Sequence, residues 1–194
     1  MTNNVSTHIG ELLTFTTGLN ISRLKKGDYT EDQLYTVSNI DEDLAMLKKT
    51  KPDVLPIQSD FATKKNDLII SMIRQKATVV TTNTNKILSS NFVKAVYDSS
   101  ILDAWFLCYW FNESDEAKKQ KHTSNKLFAY YTSSTMSDLE ITLPCIEKQR
   151  EIGKSYQAIN RMQYLMEQQK NDWTKLALEI IRHSLNKNDF KGVK

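Results

Sequence analysis

From Ile152 to Ile180 an apolar residue returns at every seventh position: Ile152, Ile159, Met166, Trp173 and Ile180, with Met162 and Leu176 at the companion spacing. A heptad of this kind lies along one stripe of a helix, and such a stripe calls for a partner helix. Just upstream, Leu139-Glu140-Ile141-Thr142-Leu143 alternates as a strand and stops at Pro144, and Glu147 to Glu151 open the helix. The chain is therefore divided into a globular part over 1–144, a long spacer and dimerisation helix over 145–187, and a flexible tail over 188–194.

Polar groups interrupt the stripe at Gln169 and His183. Less buried layers account for both; the alternative is that Gln169 pairs with its symmetry mate and fixes register. Trp173 is too large for a tight two-helix contact and is expected to cover the neighbouring chain or a third surface.

At 194 residues and 40% hydrophobic content, with both charge signs mixed, the chain is long enough for one buried core plus an appendage. It has no apolar run of membrane-spanning length, and Met1-Thr2-Asn3-Asn4-Val5 lacks the layout of a signal peptide. A cytoplasmic protein is expected, with Cys108 and Cys145 as reduced thiols. The formal net charge of +3 does not by itself announce a nucleic-acid binder. The basic residues are clustered, however. Arg23, Lys25 and Lys26 flank Gly27; Lys48, Lys49 and Lys51 precede Pro52; and Lys118, Lys119, Lys121 and Lys126 crowd a segment read as a polar loop with His122, Thr123, Ser124 and Asn125. A solvated surface explains any one cluster alone, and three in one domain favour a polyanion.

Within the globular part, residues 7–17 read as a short helix giving way to a strand and a turn at Gly18. Residues 34–40 have the β-branched and aromatic content of a strand, followed by a helical pattern over 42–47. Asp67 to Ile73 is the strongest strand and forms a hairpin with 78–82, and 91–97 joins the same sheet. Residues 100–111, with Leu102, Trp105, Phe106, Cys108, Tyr109 and Trp110, predict a helix packed deep in the core. The class is α+β: a mixed β-sheet domain with flanking helices, then one long coiled-coil-forming helix. No internal repeat is present.

Support for catalysis is thin. His8, His122 and His183 are scattered, none at metal-ligand spacing to a cysteine, and there is no Gly-rich phosphate loop or Gly-flanked serine. A cysteine hydrolase using Cys108 or Cys145 with His122 remains as a distant alternative. The chain also lacks the Asn-Pro-Pro-Tyr or Asp-Pro-Pro-Tyr run with which adenine amino-methyltransferases hold a flipped base.

Several segments together carry a resemblance. They are the strand and Gly at 14–18, the Tyr35 to Asn39 segment, Lys65-Asn66-Asp67-Leu68-Ile69-Ile70-Ser71 with Arg74 after it, and 91–96. The most diagnostic is the final strand, Pro144, and Gln149 shortly before Ile152 at the head of the helix. In these the chain resembles a target recognition domain of a type I restriction-modification specificity subunit, over nearly its whole length. It departs from the family where Asn66-Asp67 replaces the usual Gly-Asp and where Gln75 rather than Gly follows Arg74. The family's usual subunit is about twice this length, with two recognition domains and two antiparallel spacer helices, so the chain resembles a half subunit.

The resemblance implies a non-catalytic, cofactor-free specificity subunit that reads double-stranded DNA. Its partners would be an adenine-specific methyltransferase subunit, which supplies S-adenosylmethionine, and a restriction subunit, which supplies ATP-driven translocation and cleavage. Pairing would be with a second copy or a related half subunit. The interval from Ile152 to Ile180 is on the order of 40 Å at about 1.5 Å per residue, close to one turn of B-DNA at roughly 34 Å, which implies a bipartite site. The residues expected on DNA are Arg23, Lys25, Lys26, Arg74, Gln75, Lys76, Lys118, Lys119, Lys121, Asn125 and Lys126, with Asn83 a further base-reading candidate. Lysines would meet phosphates, while guanidinium and amide groups can make two directed hydrogen bonds to one base. Pairing would fall to Ile152, Ile159, Met162, Met166, Trp173, Leu176 and Ile180. A dimerising adaptor that does not read DNA sequence is the main rival.

Overall fold

The computed structural model describes residues 5–21, 29–47, 61–82, 85–127 and 131–188. The order is β1 (Val5–His8), α1 (Ile9–Leu12), β2 (Leu13–Thr17), a 3-10 turn at Glu31–Gln33, α2 (Val37–Leu44), β3 (Leu68–Ser71), β4 (Lys76–Val79), β5 (Phe92–Tyr97), α3 (Ala104–Glu113), α4 (Asp115–Leu127), α5 (Ser133–Ser137), β6 (Glu140–Leu143) and α6 (Ile146–Asn188).

The central sheet has the order β2-β5-β3-β4, and every neighbour pair in it is antiparallel. Its hairpin joins the two segments expected from sequence, with Leu68 opposite Val79 and Ser71 opposite Lys76, but its second strand is Lys76–Val79 rather than 78–82, because the chain reverses within 72–75. A second, two-stranded sheet joins β1 to β6, Val5 opposite Leu143, and so ties the start of the described chain to the strand that launches the long helix. That pairing joins segments far apart in sequence, and neither strand's pattern names its mate. Parallel pairing occurs among the described residues only as the isolated bridges Leu19–Ser89 and Leu34–Ile87. Where β2 ends, Gly18 passes so close to the neighbouring loop that a Cβ would lie 2.2 Å from the Ser89 carbonyl oxygen, which only glycine avoids.

The core gathers Leu68, Ile69 and Ile70 from β3, Val93 and Ala95 from β5, and Phe106, Leu107, Trp110 and Phe111 from α3. Helix α3 runs where the apolar pattern placed it. Its start is fixed by the Asp103 carboxylate, which accepts from the Phe106 N–H at 2.9 Å.

Two sequence expectations are corrected. Residues 34–40 do not form a strand: helix α2 starts at Val37, and Thr36 and Asn39 form a capping box in which the Thr36 N–H donates to Asn39 Oδ1 at 2.9 Å. Ile40 and Leu44, one turn apart, bury the inner face of this helix, so a capped helical period prevails over the local β-branched content. The basic segment from Lys118 to Lys126 is likewise not a loop but most of α4. Ser114 Oγ accepts from the Ala117 N–H at 3.1 Å, Asp115 and Glu116 lie in the first turn, and Ala117 seats the helix on the core. Its polar composition hid the helix, because only one face of it needs to be apolar.

Candidate nucleic-acid interface and spacer helix

The β3–β4 turn presents an exposed Ile73 and Arg74, then a half-buried Gln75 and Lys76. Gln75 sits at φ 50°, a left-handed conformation that costs a non-glycine residue on the order of 1 kcal/mol. Asn66, which leads into β3, does the same at φ 72°. These are the two positions where the resemblance led one to expect glycine, so the backbone shape persists while the residue does not.

Lys121 braces the turn from α4. Its Nζ donates to the Phe111 carbonyl at 2.5 Å and the Gln75 carbonyl at 3.4 Å, and lies 4.3 Å from the centre of the Phe111 ring. Burial pushes its pKa down to about 8, with the nearby Lys118 adding to the effect. Lys121 was expected on DNA. It is instead a buried internal strut, because its carbonyl acceptors lie inside the domain.

The other expected DNA contacts are placed as follows. Lys76 pairs with Asp41 at 3.2 Å and Lys118 with Glu113 at 3.4 Å, both in exposed settings that leave the cations within reach of a ligand. Lys119 is exposed on α4 beside Thr123 and Asp138. Asn125 and Lys126 lie in the last part of α4. Arg23, Lys25, Lys26, Asn83 and the 48–51 cluster lie outside the described residues. The fold thus brings the β3–β4 turn and α4 to one region, joined through the Lys121–Gln75 contact.

The rival nucleophile does not suit catalysis. Cys108 is fully buried, and desolvation, reinforced by Asp103, holds its thiol well above the usual range and therefore protonated. Cys145 is exposed. Among the described residues no group of three His, Cys, Asp or Glu side chains is placed to hold a metal ion, and no helix is long and apolar enough to cross a membrane.

The long helix α6 runs for 43 residues, about 65 Å at roughly 1.5 Å per residue. Its base is clamped to the domain. The side chain of Gln149, only 1% exposed, accepts from the Asp103 N–H at 3.0 Å and donates to the carbonyls of Ile101 at 3.0 Å and Pro144 at 2.9 Å. One turn on, a Cβ at Gly153 would lie 2.5 Å from Asp103 Oδ1, so glycine allows the helix to close on α3. Tyr156 then accepts from Asn112 Nδ2 at 3.0 Å, and Asn112 also pairs with both the N–H and the carbonyl of Ala77 on β4. Arg161 donates to the Ala45 carbonyl at the end of α2 at 3.2 Å. In the sequence Gln149 stands out only as a mark of resemblance, and Asn112 carries no signal because its partners lie on other elements.

Beyond Tyr164 the helix leaves the domain, and every side chain from Leu165 to Leu185 is exposed. The seam residues Ile159, Met162, Met166, Trp173, Leu176 and Ile180 are between 46% and 64% exposed. Ile152 differs: it is half-buried and packs against its own domain.

A small α+β domain with antiparallel sheets, clamped to the base of a long solvent-exposed helix, is the class of protein that fold and site define. The model of the type I restriction modification DNA specificity domain matches residues 2–173, and the chain belongs to that family. No curated protein matches its sequence. Among solved structures it is similar to a chain from work on the complex assembly and conformational transition of the type I R-M system, at 16% identity and TM-score 0.60, covering 97% of this chain and 46% of that one. It is also similar to the HsdS subunit from Thermoanaerobacter tengcongensis, at 15% identity and TM-score 0.56, covering 97% of this chain and 45% of that one. At such identities the likeness concerns the fold, and the chain spans about half the length of each.

Proposed function

We propose that the chain is a non-catalytic DNA specificity unit of a type I restriction-modification system, with residues 1–144 as the reading domain and α6 as the spacer. The observation that carries this reading is the family match, which runs through the whole domain and into the exposed helix as far as Trp173. Two reading domains, joined through their α6 helices, would address a bipartite duplex site and direct an adenine methyltransferase subunit, and a restriction subunit where one is present, to it.

Of the described residues, Arg74, Gln75, Lys76, Lys118 and Lys119 are assigned to the DNA face. Arg74, on a braced turn, is suited to bidentate base reading, and the lysines to phosphate. Lys121 is left out because its ammonium is already used inside the domain. The modest net charge and the ion pairs of Lys76 and Lys118 keep the adaptor reading as the competitor.

Titrating the full chain against its methylated motif and against scrambled duplex over a salt series decides between them. The motif is found by adenine-methylation sequencing of cells with and without the gene. A specificity unit prefers the motif by a factor that survives salt, and Arg74→Ala lowers that preference by about 1–3 kcal/mol. Equal affinity for both duplexes, falling steeply together with salt, would overturn the reading in favour of the adaptor.

A further inference from the structure

Helix α4 is locked to the domain by one face and exposes cations on the other. On the inner face Glu116 accepts from Trp110 Nε1 at 2.7 Å and from Thr142 Oγ1 at 3.0 Å. One turn on, the Gln120 amide pairs with both the N–H and the carbonyl of Glu140 on β6, at 2.8 and 2.7 Å. Lys121 follows the buried Ala117 by one turn on that same face, whereas Lys118 and Lys119 are exposed on the outer side. The β3–β4 turn has anchors of its own at either end. The Met72 N–H donates to the Asn91 carbonyl at 2.9 Å and the Arg74 N–H to Ser71 Oγ at 3.2 Å, and after the turn both backbone groups of Ala77 pair with Asn112. Between these anchors Gln75 holds its left-handed conformation, and there Lys121 takes its carbonyl at 3.4 Å.

An ammonium taken out of water is costly to keep, and an apolar side chain of similar length would fill the same space without that cost. Capping the Phe111 carbonyl at the end of α3 does not require an arm that also meets the turn. We infer that Lys121 is a positioning residue for base reading: from a helix fixed to the core, it holds the Gln75 carbonyl and so sets where the neighbouring Arg74 side chain meets the duplex. This rests on the assignment of Arg74, Lys118 and Lys119 to the DNA face put forward above, and adds what ties them together. Phosphate contacts set the register of a protein on the duplex, and a base contact succeeds only if its side chain is held to within about 0.5 Å in that register. Through Lys121, the helix that offers lysines to phosphate and the turn that offers Arg74 to a base share one frame.

Binding of the full chain to its motif and to scrambled duplex over a salt series tests this with Lys121→Met, which fills the space without a donor. The expected result is a fall of about tenfold in the preference for the motif, within the worth of one bidentate base contact, with the affinity for scrambled duplex and its salt slope unchanged. In an Arg74→Ala background the same change should remove no further preference, because the two residues act on one contact. Lys121→Gln, one bond shorter, keeps a donor for the Phe111 carbonyl but falls short of the Gln75 carbonyl; it is expected to lower the preference as Lys121→Met does, and it serves in its place if the methionine variant does not fold. Urea unfolding identifies the variants that are folded under the binding conditions. A wild-type level of preference in a folded variant overturns the positioning role and leaves the DNA reading standing. Equal weakening on both duplexes, with the salt slope reduced by about one, overturns it by making Lys121 a phosphate contact. A fall in preference as large with Arg74→Ala as without it overturns the path through Arg74. A wild-type chain that prefers no duplex overturns both the positioning role and the reading beneath it.

Discussion

One helix passes through two unlike settings. Up to Tyr164, α6 is held by directed contacts: the three hydrogen bonds of Gln149, the close approach at Gly153, the Asn112–Tyr156 link and Arg161 at the end of α2. From Leu165 to Leu185 every side chain is exposed and the polar ones pair within the helix itself, Lys170 with Glu167 and Lys175 with Asp172, although Leu165, Met166, Trp173, Leu176, Ile180 and Ile181 are as apolar as core residues. The base is specific and already satisfied, whereas the tip is apolar and unsatisfied. A helix that gains little from helix propensity alone draws most of its stability from packing, so the tip depends on what covers it while the base does not. Substitutions at the two ends should therefore be felt in different measurements.

The largest expected effect is at the base. Gln149→Leu keeps the volume but leaves the Asp103 N–H and the carbonyls of Ile101 and Pro144 without their partner in a buried setting. Each unsatisfied group costs about 1–3 kcal/mol, so a loss of about 3 kcal/mol or more is expected in urea unfolding of the domain. A Trp173→Ala control, measured at concentrations where the chain is single, should shift the same transition by less than about 0.5 kcal/mol. If the two variants destabilise the domain equally, the division between base and tip is wrong.

A second test uses pH. Lys121 is the buried cation of the domain side, with its pKa lowered to about 8. Below pH 8 the native state bears the full cost of the desolvated ammonium. Above it, native Lys121 releases its proton while the unfolded chain, titrating near 10.4, still holds one. The unfolded state then binds more protons, and stability rises with pH, by at most about 1.4 kcal/mol per pH unit for one group. The usable window is pH 8 to about 9.5, because above it the tyrosines of the unfolded chain begin to ionise. Tyr35, Tyr97, Tyr131 and Tyr156 have native pKa values raised chiefly by burial, which makes stability fall there instead. Lys121→Met should flatten the rise between pH 8 and 9.5. A wild-type profile that is already flat would mean that the carbonyls of Phe111 and Gln75 fully offset the burial.

What the sequence discloses follows the same division. Elements whose signal is local and periodic were legible: the β3–β4 hairpin, β5, α3, β6 and the long α6 with its seam. The failures have a common cause. Helix α2 was misread because its start depends on the Thr36–Asn39 box, which a β-rich string of residues conceals. Helix α4 was misread because its inner face is secured by Ala117, by Lys121 and by Gln120 hydrogen-bonded to Glu140 rather than by an apolar stripe. The candidate DNA face was only partly legible. Charge marks a residue as cationic but does not say whether that cation is spent inside, and Lys121 and Lys118 look alike in one dimension.

The smallest expected effect lies at the turn itself. Gln75 holds φ 50°, where glycine is free of the Cβ clash, and its backbone carbonyl is what Lys121 grips. Gln75→Gly keeps that carbonyl and removes a left-handed penalty of about 1 kcal/mol, while the added freedom of glycine in the unfolded chain returns part of the gain. The net expectation is a stabilisation of about 0.5 kcal/mol in urea unfolding, with the proposed pairing through the tip unaffected. The same variant separates the two duties assigned to this residue. If the amide reads a base, the more stable protein prefers its motif less; if Gln75 serves only the turn, discrimination between motif and scrambled duplex stays at the wild-type level. A loss of stability would show that the amide's own contacts outweigh the strain, and that the domain tolerates a left-handed glutamine here for what its side chain holds rather than for what it reads.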